Sequence, residues 1–323
     1  MDYIYAKQYL DDTELEANNH LRSSNFSEIK YYNETSMRAL VIIFGQLRGG
    51  PLAWESLLRF VLDFYRADLA IVGTPSNEST SLPIRERALY TWKINSSDVG
   101  SVLDDAANGN STWRVLCRPD VQFLGGIPKC LNGSGGGSGG ILLALRYVAY
   151  RQIVSLKLNL IYDWFIFTRS DFLYLCSPPP LQTYAPNAIY VPHGQKWGGY
   201  NDKHAVIPSS LVLPFLSLTA DLVNDWAFYI NAIQNNSFGR LKNFETLQRI
   251  YFEKVNITVV HQGHVAFTVR RPIDPSNWSP GYSRPKVSRY GLLTKYPLEI
   301  LEAERSCDVW VHLENWAFKY LNG

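Results

Sequence analysis

Residues 38–50 read RALVIIFGQLRGG and carry the clearest fold signal in the chain. An apolar, largely β-branched run ends in a glycine-rich segment, which is typical of a buried strand in a parallel sheet. The following apolar residues recur with the period of an amphipathic helix that begins near Pro51, and a second apolar run, DLAIVG, occupies residues 68–73. Strand, helix and strand in succession make a βαβ unit. The sequence therefore predicts an α/β fold with a Rossmann-like, mostly parallel central sheet flanked by helices.

The rest of the chain continues to alternate between strands and helices. Strands are predicted at residues 164–167, 188–191, 257–260 and 266–269, and helices at residues 84–92, 141–153, 214–233, 241–252 and 297–320. The polar segment 74–130 is predicted to be an insertion. The tract NGSGGGSGG at residues 132–140 is either an artificial linker or a native glycine loop whose bare amides would attract phosphate.

The composition excludes some classes of function. The chain has 323 residues, 46% of them hydrophobic, and a net charge of +2 from 31 basic and 29 acidic residues. A nucleic-acid partner is not expected, because duplex binding needs a basic surface. No apolar run approaches the roughly 18 residues of a membrane span, and the first residues do not resemble a signal peptide. We therefore expect a soluble chain that reaches a membrane only through an anchor absent from this sequence.

Sequons and cysteines indicate the secretory pathway. Nine asparagines lie in Asn-x-Ser/Thr sequons: Asn25, Asn33, Asn77, Asn95, Asn110, Asn132, Asn235, Asn256 and Asn277. The four cysteines, an even number, permit two disulfides in an oxidising compartment. We predict a glycoprotein domain of the Golgi lumen. The alternative is a cytoplasmic protein with abundant asparagine and four ordinary buried thiols.

Polar clusters follow three of the predicted strands. They are residues 45–50, residues 168–171 (TRSD) and the segment that begins after Val191. Because the carboxyl ends of parallel strands meet at one edge of an open sheet, we expect these clusters to surround a ligand. Asp171 is placed to bind a divalent cation, and Arg169 to pair with Asp171 or with an anionic ligand. The alternative is that Asp171 only caps a turn and pairs with Arg169.

One class of ligand would use a carboxylate, a cation and a basic group together at such an edge. It is a sugar joined to a nucleoside diphosphate, where the cation bridges the two phosphates and stabilises the leaving group.

Three segments resemble a family of glycosyltransferases with a GT-A-type nucleotide-diphospho-sugar transferase fold, found in algae, protists and large DNA viruses. They are LVIIFGQLRGG at 40–50, WFIFTRSDFLYLC at 164–176 and IYVPHGQKWGGYNDKHAV at 189–206. The most specific feature is the Arg-Ser-Asp strand end followed by Gly-Gly-x-x-Asp-basic at residues 198–203. The resemblance covers about half of the chain, from Arg38 to His204. It implies transfer of a hexose or pentose from a nucleotide-diphospho-sugar donor to an acceptor hydroxyl on a glycan or glycoprotein.

Roles for individual residues follow from the chemistry of each side chain within these segments. Donor binding would fall to Gly45, Gln46, Arg48, Gly49, Arg169, Ser170, Asp171, Gly198 and Gly199. Asp202 would be the general base or would orient the donor sugar, and Trp197, Lys203 and His204 would contact the acceptor or the sugar. Residues 169–171 stand where the family has an Asp-x-Asp metal motif, with arginine at the first position. Mn²⁺ or Mg²⁺ would be held by Asp171 and His264. The alternatives are that Gly45 and Gly49 only form a tight turn, that Asp202 only satisfies its own backbone, and that Trp197 and His264 are structural.

The predicted domain organisation combines composition with this resemblance. Residues 1–37 are polar and lack a sustained period, so they are predicted to be a stem or mobile arm, and residues 38–323 are predicted to form a single catalytic domain. Within it, residues 38–204 would bind the nucleotide sugar, and residues 205–323 would form the acceptor half and the C-terminal helix. Two other functions remain open: a catalytically silent carbohydrate-binding or scaffold protein on the same fold, and a nucleotidyltransferase, which would usually have a lysine near the first glycine loop.

Overall fold

A computed structural model describes residues 37–73, 83–118, 139–194, 197–235, 243–271, 286–288, 290–294 and 296–308. Its strands are β1 (Ala39–Phe44), β2 (Asp68–Gly73), β3 (Tyr90–Lys93), β4 (Trp164–Thr168), β5 (Phe172–Tyr174), β6 (Ile189–Pro192), β7 (Ala205–Pro208), β8 (Val259–Gln262), β9 (Ala266–Arg270), β10 (Lys286–Val287) and β11 (Leu293–Thr294). The predicted stem, apart from Met37, and the glycine-serine tract before Gly139 lie outside the described residues.

The main sheet has seven strands in the order β3-β2-β1-β4-β7-β6-β8. At its centre β1 pairs in parallel with β2 and β4, and β2 pairs in parallel with β3. Strand β7 is antiparallel to both of its neighbours, β4 and β6, while β6 and β8 are parallel. The predicted α/β fold with a mostly parallel central sheet is confirmed. Strand β7 was not predicted, because its four residues follow a polar loop without a pattern of their own.

A smaller antiparallel sheet packs beside the main one, with strand order β10-β11-β9-β5. Strand β5 follows β4 after only three residues, so the chain passes directly from the main sheet to the smaller one at Arg169, Ser170 and Asp171. In the other direction, β8 of the main sheet leads into β9 of the smaller sheet. The edge that the sequence predicts for the ligand is therefore the junction of the two sheets.

The helices are α1 (Pro51–Leu57), continued as a π-helix over Leu58–Asp63, α2 (Pro83–Glu86), α3 (Val99–Ala106), α4 (Gly139–Ser155), α5 (Ser209–Leu216), α6 (Leu218–Asn224), α7 (Trp226–Asn235), α8 (Phe244–Lys254) and α9 (Pro297–Ser306). The helix predicted at 84–92 is wrong in its second half, where β3 pairs with the edge of β2. The helix predicted at 214–233 is divided into α5, α6 and α7, with a bend of 93° before Trp226. The segment 309–320 of the predicted last helix lies outside the described residues.

Both faces of the main sheet are buried. Leu40 and Ile42 of β1 face one apolar cluster, and Val41 and Ile43 face another on the opposite side. This explains why the strand is a continuous apolar run rather than an alternating one. A third cluster joins the smaller sheet to α9. Among the described helices, none is by itself long and apolar enough to cross a membrane, although the bent pair Ser209–Asn224 and Trp226–Asn235 meets the length and composition test when taken together.

Candidate functional site

A cavity of about 210 Å³ lies at the carboxyl ends of β1 and β4, the edge at which open α/β sheets bind ligands. Its lining comes from the segment after β1, the junction between β4 and β5, the segment before β7, and helices α4, α5 and α8. The predicted site residues that line it are Gly45, Gln46, Arg48, Arg169, Ser170, Asp171, Asp202 and Lys203. The structure thus brings the segment at residues 45–48 together with two segments, 169–171 and 202–203, that lie more than a hundred residues further along the chain.

The segment after β1 is fixed to the junction between the sheets. Ser170 Oγ accepts a hydrogen bond from the Arg48 backbone N–H (2.9 Å) and donates one to the Gln46 carbonyl oxygen (3.1 Å). Gly49, at φ +90°, passes so close that an added Cβ would lie 2.8 Å from the Asp171 Cα atom. Ser170 and Gly49 therefore hold the two cavity walls together. Only glycine suits position 49, because φ is positive there and the Asp171 backbone is too close for a side chain.

Asp171 is buried between two arginines. Its side chain is 3% exposed, and its two oxygens accept from Arg169 Nε and Nη2, each at 2.7 Å. Arg270, which β9 carries and which is 2% exposed, contributes Nη1 to the same carboxylate. A buried carboxylate is costly unless it is paired and hydrogen-bonded, and here two guanidinium groups supply that pairing. The contact also connects the main sheet to the smaller one.

The surroundings of Asp171 do not fit the predicted cation. Both carboxylate oxygens already accept from guanidinium groups, which leaves a net positive charge around them. His264 lines a separate small pocket, where Nε2 lies against the His193 carbonyl oxygen and 3.3 Å from Glu302 Oε2. Within the described ranges, no three His, Cys, Asp or Glu side chains are grouped so that they could hold a metal ion.

Trp197, Gly198 and Gly199 do not line the cavity, and Trp197 and Gly199 contact the start of helix α8. The Trp197 carbonyl oxygen accepts from Asn243 Nδ2 at 2.7 Å, next to the start of α8. A Cβ on Gly199 would lie 1.8 Å from the Glu245 carbonyl oxygen, so the two backbones touch there. This corrects the expectation that the three residues contact the donor or the sugar. They position the segment that carries Asp202.

Lys203 lines the cavity, but its ammonium group is held from behind. Nζ lies 2.7 Å from Glu299 Oε1, with the two side chains 7% and 1% exposed, and 3.9 Å from the centre of the Tyr296 ring. Glu299 Oε2 also accepts from the Thr268 backbone N–H at 3.0 Å. Lys203 thus joins the segment before β7 to α9 and β9, and its contact with an acceptor or sugar stays a prediction.

His204 points away from the cavity into the small pocket that His264 also lines. Its Nδ1 lies 3.4 Å from Tyr174 Oη, and Nε2 has no hydrogen-bond partner. Burial lowers the pKa of His204 to about 4, and the charge of His264 acts in the same direction. The neutral imidazole is therefore the stable form, and His204 does not line the cavity that holds Asp202 and Lys203.

Arg146 of helix α4 is a cavity residue that the sequence analysis missed. It is 1% exposed and lies between the rings of Phe215 and Phe244, at 4.4 and 4.6 Å from their centres. Its Nε and Nη1 atoms have no hydrogen-bond partner. Burial lowers the pKa of Arg146 to about 9, while the charge of Asp202 opposes that shift. A buried guanidinium with unmet hydrogen bonds is costly, which points to a ligand that completes them.

Gln248 of helix α8 also lines the cavity. It is completely buried, and both its amide nitrogen and its amide oxygen lack a partner. Asp202 is half-buried and faces the same space. A signal for Arg146 and Gln248 was present in the sequence, since each interrupts the apolar face of an amphipathic helix. A polar residue at such a position is either satisfied within the protein or available to a ligand.

No family model and no curated protein sequence matches the chain. Among solved structures, the chain is similar to the apo crystal structure of mouse xyloside xylosyltransferase 1, with a TM-score of 0.37 and 10% sequence identity. The similarity covers 70% of this chain and 85% of that one. At this level it says nothing about which residues bind or react.

Proposed function

We propose that the chain is a glycosyltransferase that moves a sugar from a nucleotide-diphospho-sugar donor to an acceptor hydroxyl. The observation that carries the proposal is that two chemically different groups of side chains line one cavity. Arg48 and Arg169 come from the segments after β1 and β4, whereas Arg146, Gln248 and Asp202 come from α4, α8 and the segment before β7. A diphosphate is anionic and a sugar is a neutral polyol, so a donor would use both groups.

The side chains of Arg146, Gln248 and Asp202 suit a neutral sugar. The charges of Arg146 and Asp202 offset each other, and the charge of Asp202 acts on Arg146. Arg146 offers N–H donors, Asp202 offers acceptors, and the Gln248 amide offers both. Sugar hydroxyls both donate and accept, and Phe215 and Leu145 provide apolar surface for the carbon skeleton. A hexosyl or pentosyl group would meet these unmet hydrogen bonds.

The proposed reaction follows from this placement. The bond between the sugar C1 and the phosphate oxygen breaks, the nucleoside diphosphate leaves with the bonding electrons, and the acceptor oxygen forms the new bond to C1. The guanidinium of Arg169 would stabilise the charge that develops on the leaving phosphate. Asp202 would take the proton of the acceptor hydroxyl or orient the sugar. Residues 205–323 would then supply the surface for a glycan or glycoprotein acceptor.

Two features support a luminal location for this activity. Cys176 and Cys307 form a disulfide, and Cys117 is also disulfide-bonded. The sequon asparagines within the described ranges, Asn95, Asn110, Asn235 and Asn256, are all exposed. Disulfides and accessible sequons both belong to the secretory pathway. Treating secreted protein with an endoglycosidase should lower its mass, and an unchanged mass would argue for the cytoplasm.

A catalytically silent carbohydrate-binding protein is the second candidate. The observation in its favour is that Asp171, which stands in place of the metal motif, is fully engaged by Arg169 and Arg270. Such a protein would bind the donor or a sugar but would not turn the donor over. The two candidates therefore differ in catalysis rather than in binding.

Donor binding and donor breakdown should be measured on one panel. UDP-, GDP- and dTDP-linked sugars are tested by thermal shift and by release of nucleoside diphosphate, with CMP-linked sugars as the control that lacks a diphosphate. We expect at least one diphospho-sugar to raise the melting temperature and to be turned over. Asp202→Asn should then lower kcat by roughly 10²-fold or more with little change in donor binding.

Three other results would contradict the proposed function or the role of Asp202. Binding without turnover on every donor and acceptor tested would favour the silent protein. No binding of any member of the panel would remove the proposal. Loss of donor affinity alone in Asp202→Asn would move the general base to another residue.

A further inference from the structure

The carboxylate of Asp171 lies in a cationic environment. Its Oδ1 accepts from Arg169 Nε, and its Oδ2 accepts from Arg169 Nη2 and from Arg270 Nη1. Asp171 and Arg270 are almost completely buried, whereas the Arg169 side chain is 36% exposed and lines the cavity. One negative charge therefore stands against two positive charges, and the more accessible of the two guanidinium groups belongs to Arg169.

The net charge of the whole cavity lining is also positive. The cationic side chains that line it are Arg48, Arg146, Arg169 and Lys203, and the carboxylates are Asp171 and Asp202. Two charges outside the lining contribute as well: Glu299 neutralises Lys203, and Arg270 adds a positive charge next to Asp171. A divalent cation placed at Asp171 would meet two fixed positive charges and no unshared carboxylate oxygen. A diphosphate placed at Arg169 would instead meet complementary charge.

We propose that this chain binds the diphosphate of its donor through the guanidinium of Arg169 and without a divalent cation. Asp171 is then a positioning residue, whose bidentate contact fixes the plane of the Arg169 guanidinium against the end of β4. Arg270 supplies the second positive charge beside the buried carboxylate of Asp171. The arginine at the first position of the Arg-Ser-Asp motif thereby takes over the role of a cation. This inference rests on the proposed function, because it concerns the same donor.

The structure contains a matched control for Arg169. Arg114 makes a bidentate contact with Asp104, and its side chain is 41% exposed, against 36% for Arg169. It does not line the cavity. Arg114→Gln therefore breaks a bidentate arginine–aspartate pair whose arginine is about as exposed as Arg169, although Asp104 is more exposed than Asp171, and it does so without touching the site.

Binding of inorganic pyrophosphate is measured by calorimetry in EDTA on the wild type, Arg169→Gln and Arg114→Gln, and Mn²⁺ alone is titrated separately. We expect the wild type to bind pyrophosphate in EDTA, Arg169→Gln to bind at least tenfold more weakly, and Arg114→Gln to match the wild type. Mn²⁺ alone should give no saturable binding at Asp171. Pyrophosphate binding that requires Mn²⁺ or Mg²⁺, or an unchanged affinity in Arg169→Gln, would overturn the inference.

The role of Asp171 must be tested by a measurement that a loss of stability alone would not change. Asp171→Asn, which keeps the size of the side chain, should retain pyrophosphate binding in EDTA at reduced affinity if the residue only positions Arg169. If that variant fails to fold, the comparison of Arg169→Gln with Arg169→Lys decides, because lysine keeps the charge but loses the fixed plane. We expect Arg169→Lys to recover part of the lost affinity, and no recovery would argue against an electrostatic role.

Donor turnover separates this inference from the proposed function. Sugar transfer in EDTA supports both. Sugar transfer that occurs only with Mn²⁺ would leave the function standing and overturn the inference. Metal-free binding of pyrophosphate without turnover of any nucleotide sugar would leave the diphosphate site standing and overturn the function.

Discussion

At the residue scale, Arg146 lowers the stability of the fold but is suited to binding a ligand. The site keeps a buried guanidinium between two phenylalanine rings with Nε and Nη1 unpaired. In the absence of a ligand each unmet hydrogen bond costs about 1–3 kcal/mol, and a well-packed neutral side chain would avoid that cost. The residue is therefore better explained by a ligand than by the fold.

Arg146→Gln should reduce donor kcat/KM roughly 10- to 100-fold, the range expected for a lost charged hydrogen bond, while the melting temperature stays equal or rises. Arg151→Gln on the same helix is the control, since that side chain is 63% exposed and contacts Asp105 at the surface. Steady-state kinetics and thermal unfolding on the three proteins check the prediction. A fall in melting temperature with unchanged kcat/KM would make Arg146 a structural residue.

His204 predicts a pH dependence of stability. Its pKa falls from 6.5 to about 4 on folding because the ring is buried. Between those two values the unfolded chain binds a proton that the folded one does not, so the free energy of unfolding declines as the pH falls from about 6.5 to 4. The loss from this residue is at most about 3 kcal/mol.

Denaturant unfolding across that pH range should show a shallower decline in His204→Gln than in the wild type. His193→Gln, which removes an exposed histidine, is the control and should keep the slope of the wild type. Equal slopes in all three proteins would place the titration elsewhere.

At the scale of elements, the segment after β1 depends on close contact with the end of β4. Gly45 and Gly49 both have positive φ, +93° and +90°, but they differ in their surroundings. A Cβ at Gly45 meets nothing within 4 Å, whereas one at Gly49 would lie 2.8 Å from the Asp171 Cα atom. The pair therefore separates backbone strain from steric conflict.

Gly45→Ala should cost about 1–2 kcal/mol of unfolding free energy through backbone strain alone and should keep donor binding. Gly49→Ala should cost more, because the segment must move away from Ser170 and Asp171, and it should weaken donor binding at least tenfold. Chemical denaturation and donor titration test both expectations. Equal effects of the two substitutions would mean that the contact with β4 does not matter.

At the scale of the whole molecule, helix α9 and the smaller sheet are attached to the main sheet by covalent and ionic contacts. The disulfide joins Cys176, just after β5, to Cys307, just after α9, across 131 residues of chain. The buried pair Lys203–Glu299 connects α9 to the segment that carries Asp202. Release of α9 would therefore disturb the cavity as well as the fold.

The double variant Cys176→Ser/Cys307→Ser should lower the free energy of unfolding by up to about 5 kcal/mol, since a loop of this length gains much entropy when the crosslink is lost. Ser306→Ala, beside Cys307 and exposed, is the control. Denaturant unfolding measures the loss, and limited proteolysis should release α9 first. An unchanged unfolding midpoint would show that packing alone holds α9.

The sequence by itself determined the central strands of the main sheet and the two cavity segments that follow β1 and β4. Buried parallel strands are apolar throughout, so β1, β2 and β4 were readable from local composition, and the topology of a βαβ unit placed residues 45–50 and 168–171 at one edge. Only the tertiary structure decided which partner each polar side chain meets. Arg270 reaches Asp171 from a different sheet, Glu299 pairs with the ammonium of Lys203, and Asp202 and His204, two residues apart, line different cavities. The physical reason is that periodicity reports how deep a residue lies, whereas hydrogen bonds and ion pairs depend on distances between segments that are far apart in the chain.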